Sequence, residues 1–318
     1  MKKINYVVMT GVLSVFIGCG DVQPYQEIED YTPPPVVKVK PKPKPKVRVQ
    51  VTGAAGELKR LTFGGVEEFV DDVSKNGKWL LIDTYSKNKN GDKSNTVIQK
   101  LNIKNNMRMI LTPTNSSNWR ANWADNDTKF VFSTDRAGVT IAESMGVNGE
   151  QGVRFITTAA MGKSYNPNYS QKLNEVTFTL NGNIAIININ GTSLRMFGQG
   201  NLPKFSPNGK RVLFIRNDGN YDHIYIMNNN GTGLMEITNE NANDTEAVWS
   251  PDGKKIAFIS DRTGKYRHLF VMDITGRNLI QLTNGNYNVT SLNWGRDGYI
   301  YFSANVNNNN DIWRLKIK

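Results

Sequence analysis

The chain has 318 residues, a formal net charge of +11, 38% hydrophobic and 10% aromatic residues, two histidines and one cysteine. Such a chain is long enough to bury a sizeable core, and a lone cysteine excludes any disulfide within it. Of the charge, +4 falls in residues 1–56 and +7 in residues 57–318, where basic side chains are scattered rather than run together, and no recognised nucleic-acid-binding motif appears, so no nucleic acid is expected as a partner.

The first residues, "MKKINYVVMTGVLSVFIGCG", carry Lys2 and Lys3, then a short apolar run. The run is too short to span a membrane comfortably and reads as a signal peptide over residues 1–18. Cys19 follows "VFIG", which resembles a bacterial lipobox with Phe16 in place of the usual Leu. The resemblance implies cleavage before Cys19 and lipidation of that cysteine, with several acyl chains giving stable anchorage. Gly20 after the cysteine favours, by the same resemblance, the inner leaflet of the outer membrane facing the periplasm.

Residues 19–56 read as the lipidated cysteine and an extended linker, with "YTPPPVVKVKPKPKPKVRVQV" at its centre. Proline fixes φ and the lysines repel one another, so residues 20–55 are expected to hold no fold and, as polyproline II, to reach on the order of 100 Å. The strip reads as a solvated spacer, or alternatively as a basic band for an anionic wall polymer or lipid headgroups.

From residue 57 a unit recurs every 40 to 50 residues, starting at Leu61, Leu111, Ile156, Phe197, Ile237 and Leu282. In each, an aromatic or apolar residue (Val73, Trp123, Tyr169, Phe205, Trp249, Trp294) precedes a turn rich in Asn, Asp, Gly or Pro. A hydrophobic second strand follows, such as "KIAFIS", then a loop, a third strand such as "HLFVM", a turn and a short outer strand such as "NLIQLT". The fold class is therefore all-β: a six-bladed propeller of four-stranded blades over residues 57–318. The last unit stops after its third strand, and "GELKRLT" aligns with "GRNLIQLT", so an N-terminal outer strand is expected to join the last blade and close the ring.

The units "FSPNGKRVLFI", "WSPDGKKIAFISDRTG" and "WADNDTKFVFSTDRAG" resemble the repeats (PD40-type) of the TolB-type six-bladed propeller, a class also found in some peptidases and lyases. TolB proteins carry an α/β domain before their propeller, whereas a linker precedes it here, so the likeness is to the propeller. It implies a scaffold that binds another envelope protein or a peptidoglycan-associated partner, monomeric by itself.

Catalytic candidates are few. His223 and His268 occupy the same register in adjacent units, which points to a structural role in the blade. Serine nucleophile elbows, zinc spacings and glycine-rich phosphate loops are absent, so neither a catalytic set, a metal site nor a cofactor is expected. Asp135–Arg136 and Asp261–Arg262 read as turn or inter-blade ion pairs. A propeller of the lyase or peptidase type and a structural module of a secretion or motility assembly remain alternatives. The partner-binding candidates are Trp119, Arg120, Met161, Tyr165 and Tyr287, in and beside the loops entering the inner strands, because Trp, Tyr and Arg dominate interface energetics.

Overall fold

The computed structural model describes residues 49–85, 93–148, 152–306 and 309–317. The signal peptide, Cys19 and residues 20–48 lie outside the described residues. Six four-stranded antiparallel sheets form the six blades. Their inner strands are Glu67–Val73, Asn118–Ala124, Ser164–Ser170, Asn201–Phe205, Asp244–Trp249 and Asn288–Trp294, for blades 1 to 6. Each inner strand neighbours the next, and that of blade 6 neighbours that of blade 1, so the six line one axis. Among the described residues no helix is long and apolar enough to cross a membrane.

The second strand of each blade is its most apolar and lies between two others. Leu80–Ile82, Phe130–Phe132, Val212–Phe214, Ile256–Phe258 and Ile300–Phe302 are all but inaccessible. Both faces of these strands meet a neighbouring sheet, which is why the sequence reads there as an unbroken apolar run rather than an alternation.

The turn grammar has a physical origin. In blades 1, 4 and 5, Ser74, Ser206 and Ser250 donate side-chain hydrogen bonds to Asn76, Asn208 and Asp252, at 2.9, 2.8 and 2.6 Å. Gly77, Gly209 and Gly253 then close the turn with φ of 66°, 73° and 70°. A β-carbon is strained there, so glycine recurs. Blade 2 has no glycine in its turn, and Asp125, Asn126 and Asp127 take the left-handed backbone instead.

The Leu-Thr or Ile-Thr that opens five of the six units is also explained. Its apolar residue is buried at Leu61, Leu111, Ile156 and Leu282. Its threonine hydroxyl accepts the N–H of the third strand: Thr112 from Ile98, Thr157 from Ala142, Thr238 from Ile224 and Thr283 from Leu269, at 2.8–3.0 Å. Thr62 does the same for Ile312 of the last blade at 2.9 Å. Correspondingly, Ala55–Arg60 is the fourth strand of blade 6, pairing Leu58 with Leu315, Lys59 with Arg314 and Arg60 with Trp313.

Part of the stretch that the sequence reading left without a fold belongs to the propeller. Val49–Ala55, assigned to an unfolded linker, are held against blades 5 and 6. Val49 and Ala55 are buried, Gln50 and Val51 pair with Asn284 and Thr283, and Thr52 Oγ1 donates to the Gln281 carbonyl at 2.6 Å. These residues alternate outside the Lys-Pro run and so can pair as a strand.

Candidate functional site: the channel mouth and axis

Every inner strand of blades 2 to 5 carries a bulge at which one residue adopts positive φ: Arg120 (58°), Asn166 (58°), Leu202 (52°) and Glu246 (53°). In blades 2 and 5 the register jumps from Trp119 to Asn122 and from Thr245 to Val248, so the extra residues fall out of the ladder. An Arg and a Glu at positive φ are uncommon, and here they serve one contact. Arg120 Nη1 and Nη2 bond Glu246 Oε2 and Oε1, both at 2.5 Å, from opposite blades of the ring. At 32% and 13% exposure the pair is reached by solvent inside the channel.

Arg120 also ties blade 2 to blade 1, its backbone N–H bonding Asp83 Oδ2 at 3.0 Å. Asp83 interacts with Asp71, and both are buried. Burial, then the Asp83 charge, pushes the Asp71 carboxyl well above the usual range, while burial raises Asp83 to about 6 against the Asp71 and Arg120 hydrogen bonds. For Arg120, burial works against the charged form, but the Glu246 carboxylate outweighs it and holds the guanidinium above its ordinary value.

The residue before the turn-end aromatic reaches to the next blade. Asp72 Oδ2 accepts the Trp123 N–H at 2.8 Å and a short bond from Asn122 Nδ2. Asn122 Oδ1 accepts the Tyr169 N–H at 2.7 Å, and Asn168 Oδ1 the Phe205 N–H at 2.8 Å. Asn293 Nδ2 donates to the Asp71 carbonyl at 3.0 Å, sealing blade 6 to blade 1. This inter-blade stitching was missed by sequence reasoning, although a small polar residue before Val73, Trp123, Tyr169 and Trp294 was its visible signal.

At these strand ends a mouth of about 400 Å³ opens, lined by all six blades. Its collar is Val73, Trp123, Tyr169, Phe205, Trp249 and Trp294, the residues that sequence reading had identified as turn markers. Lys75, Lys172, Lys204 and Arg296 outnumber Asp72 and Asp127 among its charged side chains. Burial lowers the Lys204 ammonium and raises the Asp72 carboxyl to about 6. Aromatic faces ringed by cations can hold an extended chain with apolar and acidic groups.

The sequence-predicted binding residues sit elsewhere. Trp119 and Tyr165 are half-buried at matching positions of adjacent inner strands, opposite Ser133 and Thr179, at the far end of the channel. Met161, in a short 3-10 turn (Ala159–Met161), packs on the core between blades 2 and 3. Arg120 lies on the axis rather than in a rim loop. Tyr287 is a correction: it is 2% exposed, packs in the core of blades 5 and 6 and donates to the Gln50 carbonyl at 2.9 Å, so it is no exposed anchor. The docked 49–55 segment, which sequence reading left free, is what covers it.

His223 and His268 are both buried at third-strand starts, in the predicted structural register. Asp135 and Asp261 cap the loop before the inner strand of their own blade, accepting N–H groups of Ser117 and Asn243 at 2.8 Å. Arg136 and Arg262 pair with Glu143 and Asp244 inside the same blades, so these pairs are turn devices and do not bridge blades.

A profile of the TolB beta propeller domain (PD40) matches residues 157–318, half of the chain. The chain belongs to that family. In fold it is similar to a putative TolB from Agrobacterium tumefaciens (TM-score 0.61, 16% identity, 86% of this chain and 99% of that one). It is likewise similar to TolB from Acinetobacter baumannii (TM-score 0.55, 15% identity, 79% of this chain and 63% of that one). Oligogalacturonate lyase in complex with manganese shares the fold as well (TM-score 0.56, 12% identity, 86% of this chain and 97% of that one). In sequence, 66 residues are 32% identical to an uncharacterized peptidase, YuxL, of Bacillus subtilis, covering 19% of this chain and a tenth of that protein.

Proposed function

From its place in the TolB propeller family, we propose that the chain is a non-enzymatic docking module that binds another protein of the cell envelope, or a component of the wall, at the channel mouth. The observation that carries this reading is the mouth itself, lined by all six blades, with an aromatic residue from five of them and four cations against two acids. Interfaces draw most of their energy from a few aromatic and Arg anchors, and here Tyr169, Trp294 and Arg296 are the ones left partly or fully exposed. The Arg120–Glu246 pair lies across the axis beneath it, so a partner is held at the mouth rather than passed through.

Lipidation of Cys19 would anchor the protein to the outer membrane, in the periplasm, with the Lys-Pro segment as spacer. Labelling with a fatty acid tests this: Cys19→Ser should lose the label, and equal label in both proteins overturns the anchor. The partner is tested with a photo-crosslinking residue placed at Arg296 in the mouth or at Lys163 on the opposite rim. A discrete adduct from Arg296 alone supports mouth docking, while one from Lys163 alone moves the site. The lyase neighbour motivates a second assay: cleavage of oligogalacturonate, lost on changing mouth residues, would replace docking with catalysis.

A further inference from the structure

Beside the mouth, between the turns of blades 4 and 5, lies a second cavity of about 570 Å³. It shares Lys172, Ser206, Pro207 and Trp249 with the mouth, so the two form one groove running outwards from the axis. Its apolar surface comes from Pro207, Trp249 and Ile274, and its cationic side chains are Lys172, Lys210 and Arg211. Asp252 also lines it, but that carboxylate accepts Ser250 Oγ at 2.6 Å and the Lys254 N–H at 3.1 Å, which hold its pKa below the ordinary value. That carboxylate therefore stays ionised, and the groove sets three cations against one acid.

Several arginines elsewhere on the propeller are matched. Arg60, Arg108, Arg136, Arg195, Arg262 and Arg314 each meet a carboxylate. Among the described residues no such pair is formed by Lys172, Lys210 or Arg211. Three cations gathered around an apolar floor, against the single Asp252 carboxylate and with no ion pair of their own, raise the local potential for an anionic ligand.

We propose that this groove binds an extended acidic peptide segment, with carboxylates at Lys172, Lys210 and Arg211 and an apolar side chain over Pro207 and Ile274. The proposal rests on the reading of this face as a docking face and adds the chemistry of what is docked. A peptide is favoured over an anionic polysaccharide because the floor offers aliphatic and proline carbon, which a chain of carboxylated sugars cannot match with apolar side chains. The Lys-Pro segment of this chain has the wrong sign to fill it.

The probe is a fluorescein-labelled peptide of about twelve residues, alternating Glu with Leu and Pro, followed by anisotropy with the full chain. Binding should weaken about tenfold or more on raising salt well above physiological strength. The K172E/K210E double variant, both positions exposed, should weaken it by about tenfold or more with an unchanged melting temperature. R211Q should weaken it less. K59E/K316E, the same charge change on blade 6, should leave it unaltered.

Equal loss in the blade 6 variant, or full binding by K172E/K210E, overturns the proposal, as does preferential binding of oligogalacturonate that K172E/K210E abolishes. The Arg296 crosslink separates the two levels. An adduct there with no groove-dependent peptide binding rejects the acidic segment alone, whereas loss of the adduct rejects the docking face.

Discussion

Arg120 and Glu246 meet across the propeller axis, each from a bulge in the inner strand of an opposite blade and each at positive φ. Two unfavourable backbone conformations are thereby tied to one bidentate ion pair. Beneath the same arginine lie Asp71 and Asp83, so its charge also offsets two buried carboxyls.

Arg120→Ala should consequently destabilise the fold rather than merely weaken a surface. It would leave Glu246 and the Asp71–Asp83 pair without their cation, and breaking a buried pair from one side costs about 3–5 kcal/mol, discounted here to about 2–3 because solvent reaches the guanidinium. Glu246→Gln, which keeps one acceptor, should cost less. Denaturant unfolding of both single variants and the double variant measures the coupling. Additive effects would show that the bridge contributes nothing as a pair.

Asp83 makes stability depend on pH in an unusual direction. Its folded pKa of about 6 is above the ordinary 3.8, so the folded protein binds the proton more tightly than the unfolded chain. The stabilisation is full below about pH 4 and is lost as pH rises through about 6. Asp83→Asn keeps an acceptor for the Arg120 N–H, removes the charge, and should raise stability at pH 7.5 by about 1–3 kcal/mol while leaving it nearly unchanged at pH 4. Melting temperatures at the two pH values check this, and a variant less stable at pH 7.5 would mean that the negative charge is required by Arg120.

Blade number, strand order and turn positions were legible in the sequence because each rests on a repeated local rule. Gly77, Gly209 and Gly253 recur at one left-handed turn position, and Thr62, Thr112 and Thr157 recur at one hydrogen bond. The axis was not legible in this way. Arg120, Leu202 and Glu246 occupy equivalent bulges with unrelated side chains, so no repeat marks them, and the meeting of residues 120 and 246 depends on the closure of the whole ring. Tyr287 was misplaced for a similar reason: its loop position reads as exposed until Val49–Val51 are seen to cover it.

Trp249 should behave as a core residue although it borders the mouth. It is 7% exposed, packs with Leu213, Ile256 and Phe258 between blades 4 and 5, and donates its indole N–H to the Lys204 carbonyl at 3.1 Å. Trp249→Ala should cost about 3–5 kcal/mol through the cavity left behind. Trp249→Phe should recover most of that packing but leave the Lys204 carbonyl without its indole donor, a loss of about 1 kcal/mol. Urea unfolding of the two variants decides it. Near-native stability of the alanine variant would mean that Trp249 serves the mouth rather than the blade.

The strand Ala55–Arg60 is expected to hold the ring shut. It supplies the ladder partner of Asn309–Ile317, brings Arg60 to Asp311, and is followed by Thr62, whose hydroxyl accepts the buried Ile312 N–H. Deleting residues 55–60 would strip one edge of the last blade and lower the melting temperature by about 10 °C or more, since several kcal/mol at about 2–4 °C each are lost. Because so large a deletion can prevent folding altogether, Thr62→Val is the finer probe. It keeps the shape, removes the acceptor of one buried N–H, and should cost about 1–3 kcal/mol. Deleting residues 20–46 should leave the melting temperature unaltered, as that stretch ends before the buried Val49. Equal melting temperatures for the 55–60 and 20–46 deletions, with no effect of Thr62→Val, would show that the blades close without this strand.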